Sequence, residues 1–272
     1  IRPMAQCLAA NNIEGVAGIL NGTTNFILTK MIEDGMTFED ALKLAQDNGF
    51  AEKDPTADIE GFDACRKVCI LASLAFGKHV YPNQVRAEGI TKITLEDVEY
   101  ISSAHGVIKL LGQIKKIDDD KITAFVSPAV VFHGSQLASV NGVFNAILVR
   151  GDAVGDVCFY GAGAGKLPTA SAVVADMVDC AVHVNRRKNF GWGPGSEDYV
   201  VDEKSALEMP FYVRAKATES EAVALFHNVK FLTRTGQPSD EVAFITDSMT
   251  ENALDKKLEG VKVINKIKVT NY

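Results

Sequence analysis

The sequence Gly49-Phe-Ala-Glu-Lys-Asp-Pro-Thr-Ala-Asp-Ile-Glu-Gly-Phe-Asp-Ala-Cys-Arg-Lys67 runs into a strongly helical pattern, mostly apolar on one face, from Phe62 to Phe76. Asp63 and Lys67 are four residues apart, so one helical face presents a carboxylate beside an ammonium. If partly buried, such a pair could assist proton transfer to or from a hydroxyl. The alternative is a solvated surface salt bridge, which is common and contributes little to stability.

A second motif lies upstream, Gly18-Ile-Leu-Asn-Gly-Thr-Thr-Asn25. The apolar residues from Val16 to Leu20 predict a short buried strand that runs into a turn at Asn21-Gly22. Thr23 or Thr24 can cap the following helix, and Gly35 is placed to end it.

A third motif, Tyr160-Gly-Ala-Gly-Ala-Gly-Lys-Leu-Pro168, follows a predicted strand and precedes a helix of small residues from Thr169 to about Val184. A glycine-rich turn between strand and helix exposes backbone N–H groups at a positive helix end, which favours phosphate. The spacing is G-x-G-x-G rather than G-x-G-x-x-G, and the sequence is no Walker loop. Taken alone, a tight turn is the commoner alternative.

The remaining pattern predicts an α+β protein. Helices precede Gly77, and alternating stretches at 107–117, 122–131, 143–149 and 156–160 then predict antiparallel strands. Helices followed by such strands predict a helix-covered mixed or antiparallel sheet. Residues 207–272 follow the order β-α-β-β-α-β, a ferredoxin-like split unit, and this common topology alone says nothing about ligand.

Composition excludes several classes of protein. The 272 residues carry a net charge of −7, which argues against a nucleic-acid partner, and no apolar run is long enough to span a bilayer. The five cysteines are scattered, so we expect reduced thiols in a cytoplasmic protein and no disulfide framework or metal site. Cys65 and Cys69 share a helical face, where burial in the core is the expectation.

Together the three motifs, in their order and spacing, resemble those of homoserine dehydrogenases, continuously from Ile1 to about Asp179. The C-terminal unit looks like the ACT domain that follows the catalytic part in many bacterial members, although its first strand–helix turn, Ala217-Thr-Glu-Ser-Glu-Ala222, lacks their Pro-Gly. The resemblance implies interconversion of aspartate semialdehyde and homoserine with NADPH or NADH, on the route to threonine, methionine and isoleucine.

The resemblance also implies roles for individual residues. Lys67 and Asp63 would face the reacting oxygen of the substrate, with Lys67 as proton donor, and Glu52 would hold the substrate ammonium. The Phe50 carbonyl and the turn at Gly22-Thr23 would complete the substrate pocket, with Asp58 in a supporting role. The residues implied near the cofactor, NADP or NAD, are Gly163, Ala164, Gly165 and Thr169.

The family carries an N-terminal Rossmann domain, and Ile1-Arg-Pro-Met matches the segment just after it. We therefore expect a piece of a longer protein that holds most of the substrate site, while the nucleotide domain and much of a monovalent-cation site lie outside it. The predicted division is 1–160 as substrate and dimerisation domain, 161–200 as glycine-rich loop, returning helix and linker, and 207–272 as ACT-like regulatory domain.

We expect a homo-oligomer that acts on a small molecule, with no membrane partner. Alone, the piece would lack dehydrogenase activity. The main alternative is a non-catalytic amino-acid-binding or dimerisation module of the same family; an unrelated α+β protein with coincidental motifs is the other.

Overall fold

The computed structural model describes residues 1–185, 191–270 and 272. Its helices are α1 (Arg2–Gln6), α2 (Gly22–Asp34), α3 (Phe38–Asp47), α4 (Thr56–Ile59), α5 (Phe62–Phe76), α6 (Leu95–Ser103), α7 (Lys166–Val182), α8 (Glu203–Ala206), α9 (Glu219–Phe226) and α10 (Glu251–Lys257). Its strands are β1 (Ile13–Ile19), β2 (Arg86–Ala87), β3 (Gly106–Lys116), β4 (Ile122–Phe132), β5 (Phe144–Gly151), β6 (Gly155–Ala162), β7 (Glu208–Met209), β8 (Phe211–Lys216), β9 (Val229–Leu232), β10 (Val242–Thr246), β11 (Met249–Thr250) and β12 (Lys262–Val269).

Ten strands of the described residues form one sheet in the order β6-β5-β1-β3-β4-β12-β8-β10-β9, with β2 beside β4. Every pair in it is antiparallel except those that β4 makes with β2 and with β12. The prediction of a helix-covered mixed or antiparallel sheet is confirmed, and the sheet is large and mostly antiparallel.

Helix α5 has the predicted bounds. Gly61 precedes it in the left-handed conformation, at φ 80°, and Gly77 ends it at φ 72°. A Cβ at Gly61 would lie 3.3 Å from the Val126 side chain, so the helix begins tightly against β4. The side of α5 that includes Val68 and Ala72 is buried, which leaves Asp63 and Lys67 at its open side.

The predicted cap of α2 is wrong. The N-cap is Asn21, whose side chain accepts a hydrogen bond from the Thr24 backbone N–H. Asn is among the strongest N-cap residues, and the hydroxyl of Thr23 is engaged elsewhere, on the Phe50 carbonyl. The predicted end of the helix at Gly35, with φ 64°, is confirmed.

Helix α7 begins earlier than predicted, at Lys166 rather than Thr169. Gly165 is its N-cap, and Pro168 fits the first turn because the N–H groups there need no helical partner. None of the 17 residues of α7 is buried. The linker predicted to follow it includes residues 186–190, which lie outside the described residues.

The C-terminal strands have the split βαβ arrangement. Helix α9 connects β8 to β9 with β10 between them, and α10 connects β10 to β12 with β8 between them. The apolar residues Ala222, Leu225, Phe226 and Val229 share one helical stripe, which predicts a helix from 220 to 229. That helix is too long, because His227, at φ 58°, stops α9 and Val229 opens β9.

The sheet of the C-terminal unit is continuous with that of the first part. Strand β12 pairs in parallel with β4, opposite Ala129 and Val130. One hydrophobic core contains Ile101 of α6 together with Tyr212 and Ile245. Helices α9 and α10 pack on the other face of the unit. The two parts therefore share a core as well as a sheet.

The described residues contain no helix long and apolar enough to cross a membrane. All five cysteines are free thiols, and Cys65 and Cys69 are buried in the core, as predicted. Within the same residues, no three His, Cys, Asp or Glu side chains are grouped so as to hold a metal ion.

Candidate active site

Lys67 is fixed at two points. Its Nζ donates one hydrogen bond to Asp63 Oδ2, at 2.7 Å, and another to the backbone carbonyl of Leu20, at 2.9 Å. The Lys67 side chain is 47% exposed and that of Asp63 31%. The pair is thus open to solvent, but the second bond, to the end of β1, distinguishes it from an ordinary surface salt bridge.

Asn21 bridges two carboxylates beside this pair. Its Nδ2 donates to Asp58 Oδ1 at 2.7 Å and to Asp63 Oδ2 at 2.9 Å. Its Oδ1 accepts from the Thr24 backbone N–H at 2.9 Å, as the cap of α2. The turn after β1, the short helix α4 and the start of α5 therefore meet at one buried amide.

The loop between α3 and α4 lies against the same turn. Thr23 Oγ1 donates to the Phe50 carbonyl at 2.7 Å, and the Phe50 ring packs edge-on against Phe26, with centroids 5.0 Å apart. The Glu52 backbone carbonyl accepts from Gln46. The Glu52 carboxylate is exposed and makes no hydrogen bond or ion pair with the described residues.

Glycine is required in the turn itself. A Cβ at Gly22 would come within 2.8 Å of the Val143 carbonyl oxygen. The backbone of the turn can therefore approach β5 only if residue 22 has no side chain.

The glycine-rich loop reaches this turn through Asn145 on β5. Asn145 Nδ2 donates to the Ile19 carbonyl at 2.9 Å. A Cβ at Gly163 would lie only 2.3 Å from Asn145 Oδ1, so the loop packs directly on this amide. The structure thus brings the loop to the end of β1, where Leu20 and Asn21 follow.

The loop fits one part of a dinucleotide. Gly163, Ala164, Gly165 and Thr169 are exposed at the N-terminus of α7. No side chain caps that helix, so its first N–H groups face outward at the positive end of the dipole. Such an end suits the phosphate or another anionic group of a nicotinamide nucleotide.

The sequence analysis gave no role to three polar side chains in or near the site, which are those of Asn21, Asn145 and the fully buried Lys109. For Asn21 it predicted only a place in a turn. Lys109 Nζ donates to the Val140 carbonyl at 2.6 Å and to Asn141 Oδ1 at 2.9 Å. Burial lowers the pKa of Lys109 to about 8. Asn25, the last residue of the second motif, also accepts from Lys109 and donates to three carbonyls of residues 140–144.

Chemically, the arrangement offers an ammonium that one carboxylate holds in a defined direction, and a second carboxylate joined to the first through Asn21. It also offers a carboxylate without a partner in the described residues, and a helix end suited to an anion. This combination can bind a small zwitterion and deliver a proton to an oxygen.

The chain is similar to known proteins in sequence. The family model for homoserine dehydrogenase matches residues 1–178. A homoserine dehydrogenase of Pseudomonas aeruginosa is 42% identical over 229 residues, which cover 82% of this chain and 52% of that protein.

Solved structures extend the likeness to the C-terminal unit. A homoserine dehydrogenase from Thiobacillus denitrificans superposes with a TM-score of 0.85 at 34% identity, covering 99% of this chain and 67% of that one. A hyperthermophilic archaeal homoserine dehydrogenase mutant in complex with NADPH gives a TM-score of 0.56 at 31% identity, over 66% of this chain and 51% of that one. The chain spans about half the length of the curated relatives it matches.

Proposed function

The chain belongs to the homoserine dehydrogenase family, and from this premise we propose that it carries the substrate side of an NAD(P)-dependent enzyme that interconverts L-aspartate 4-semialdehyde and L-homoserine. The observation that carries the proposal is the Lys67 ammonium, held between Asp63 and the Leu20 carbonyl.

Reduction of an aldehyde requires hydride at the carbonyl carbon and a proton at its oxygen. A bound nicotinamide nucleotide supplies the hydride. Lys67 delivers a proton from Nζ to the nascent alkoxide, and in the direction of oxidation it takes that proton back. Asp63 keeps the ammonium oriented through its 2.7 Å hydrogen bond.

The amino-acid end of the substrate needs groups of its own. Glu52, whose carboxylate is exposed and has no partner in the described residues, binds the substrate ammonium. The backbone at Phe50 and at Gly22-Thr23, joined by the hydrogen bond of Thr23, forms the wall of the pocket. Asp58 has a supporting role, because it accepts a hydrogen bond from Asn21 at the start of this wall.

The nucleotide is held in part by Gly163, Ala164, Gly165 and Thr169 at the start of α7. We propose that the other nucleotide-binding groups, and much of a monovalent-cation site, belong to the part of the relatives' length that this chain does not span. The exposed apolar residues Val173, Val174 and Met177 of α7 support this assignment, because such a face calls for a partner.

We further propose a cytoplasmic homo-oligomer in threonine, methionine and isoleucine biosynthesis, with the split βαβ unit at 207–272 as an ACT-like regulatory domain. The continuous sheet and the core shared with α6 support this role. Through them, a conformational change in the unit would move residues of the substrate domain directly.

The test is an assay of the full product of the coding region, with homoserine plus NAD(P) and with aspartate semialdehyde plus NAD(P)H. We expect turnover in both directions, and none from residues 1–272 alone. Binding of homoserine without turnover by the full product would instead favour the non-catalytic module.

A further inference from the structure

On the basis of the proposed function, we propose that Asn21 is a positioning residue for the reaction: its side-chain amide holds Asp58 and Asp63 together and thereby fixes the direction in which Lys67 presents its ammonium. Asn21 does not touch the reacting atoms in this scheme. It acts through Asp63.

The hydrogen bonds of Asn21 support this role. A side-chain amide has two N–H donors and one carbonyl oxygen. Both donors are used on carboxylates, at 2.7 Å to Asp58 and 2.9 Å to Asp63, and the oxygen is used on the Thr24 N–H. This orientation is the one that pairs every donor with an acceptor, since the reversed amide would set its oxygen against two carboxylates.

Charge explains why an amide is needed there. Asp58 and Asp63 are bonded to the same nitrogen, so two like charges lie close together. The positive partner of this group, Lys67, forms an ion pair with Asp63, and within the described part of the chain it forms none with Asp58. Hydrogen bonds to ionised groups are stronger than neutral ones, and those of Asn21 therefore offset part of the repulsion.

The backbone makes the position of Asn21 rigid. Asn21 is only 6% exposed and its side chain caps α2, while the preceding residue, Leu20, offers the carbonyl that accepts from Lys67. Leu20 thus holds the ammonium, and Asn21 holds its carboxylate partner Asp63, each through a direct hydrogen bond. A change in the Asn21 amide would rotate Asp63 and let Lys67 swing away from the substrate.

Asn21→Ser separates this role from the capping role. Serine is also a good N-cap and can still accept from the Thr24 N–H, but it cannot donate to both carboxylates. In the full-length enzyme we expect kcat/KM for homoserine to fall roughly ten- to a hundredfold, the size typical of a lost hydrogen bond to a charged group. The thermal midpoint should remain near that of the wild type.

The separation of kcat from KM distinguishes positioning from a general structural effect. The charged groups facing Asn21 are Asp58, Asp63 and, through Asp63, Lys67. Because Asn21 acts on the proton donor and not on Glu52, its loss should lower kcat and leave KM for homoserine near that of the wild type. Thr37→Val is the control: it removes the cap hydroxyl of α3, which bonds Asp40, so kcat and KM should both match those of the wild type.

A wild-type kcat in Asn21→Ser, or an equal fall of kcat in Thr37→Val, would overturn the inference. If Asn21→Ser does not fold, Asn21→Asp keeps the shape and the cap but adds a third carboxylate beside Asp58 and Asp63; kcat should then fall further, and an unchanged kcat would count against the role. Wild-type enzyme without homoserine turnover would refute the proposed function, and this inference with it.

Discussion

Two ion pairs of this protein occupy opposite environments. Lys67 and Asp63, at the candidate active site, are 47% and 31% exposed. Lys268 and Glu251, where the C-terminal unit joins the sheet, are 6% and 3% exposed, at the same separation of 2.7 Å. Distance therefore does not tell the two apart, whereas burial does.

The buried carboxylate has several partners. Glu251 accepts hydrogen bonds from Lys268, from Lys266 at 3.1 Å and from Arg86 at 3.1 Å. Burial alone would raise the pKa of Glu251, but Lys268 and Arg86 beside it hold that pKa far below its ordinary value. These bonds tie the helix α10 to β2 and β12.

A second buried network lies between α6 and the C-terminal strands. Arg214 pairs with Glu241 at 3.1 Å, and Tyr212 donates to Asp97 at 2.9 Å. In both networks the charged groups are paired with other groups of the protein. The comparison teaches that the Lys67 ammonium is available to a substrate because one side of it faces solvent, whereas the buried charges serve the fold.

The largest effect that would test this contrast is on turnover. Lys67→Ala in the full-length enzyme should lower kcat by about two to four orders of magnitude, the usual contribution of a general acid. Unfolding free energy should change by less than about 1 kcal/mol, because the pair is exposed. Steady-state kinetics and urea unfolding measure the two quantities. Near-normal kcat would eliminate Lys67 as the acid.

Glu251→Gln should show the reverse pattern. Removing one charge from a buried network leaves its cations uncompensated, and we expect a loss of about 3–5 kcal/mol of stability in urea unfolding. Asp47→Asn, which removes a carboxylate from the exposed pair with Lys43, is the control and should change stability by less than about 1 kcal/mol. Equal losses of stability in the two variants would contradict the distinction between buried and exposed carboxylates.

The same carboxylate makes stability depend on acid. The folded-state pKa of Glu251 is depressed, so its contribution is present above the unfolded value of about 4.5 and is lost as the pH falls below it. Between pH 7 and 3, the free energy of unfolding should therefore fall more steeply in the wild type than in Glu251→Gln. Parallel curves would contradict the assignment.

Lys109 extends the comparison to a buried cation that contacts no carboxylate among the residues the structure describes. Burial lowers its pKa from 10.5 to about 8, so in this range the unfolded chain binds the proton more tightly and stability rises with pH. Between pH 8 and 10 the free energy of unfolding of the wild type should rise by about 2–3 kcal/mol relative to that of Lys109→Met. A difference that stays constant with pH, in matched urea titrations, would show that Lys109 does not titrate there.

The smallest expected effect concerns Glu52. Glu52→Gln keeps the shape but removes the charge opposing the substrate ammonium, and should raise KM for homoserine by roughly ten- to a hundredfold. Glu39→Gln, in the first turn of α3, is the control, and its KM should match that of the wild type. If only the cofactor KM rose in Glu52→Gln, Glu52 would belong to the nucleotide side instead.

Local signals in the sequence predicted most of the elements. Helix α5 has its predicted bounds because its apolar face and its flanking glycines act within the segment itself. The failures have local explanations as well. Asn21 competes with the threonines for the cap of α2, and His227 adopts a positive φ that a helical pattern cannot reveal.

The candidate site was predictable in part. Asp63 and Lys67 were expected to be neighbours because helical geometry alone places them so. The ACT assignment and the domain boundaries stay predictions, as do the roles of the individual site residues. Asn145 gave no signal of its own, because its importance depends on the closeness of Gly163, eighteen positions away in the sequence.

By itself, then, the sequence determined most of the helices and strands and the family, since periodicity, caps and motifs are properties of short segments. Only the tertiary structure decided that Asn21 binds Asp58 and Asp63, 37 and 42 positions away, and that β12 extends the sheet from β4. The physical reason is that hydrogen bonds across such separations, and the burial that distinguishes Glu251 from Asp63, depend on how whole elements pack, and no local pattern encodes that packing.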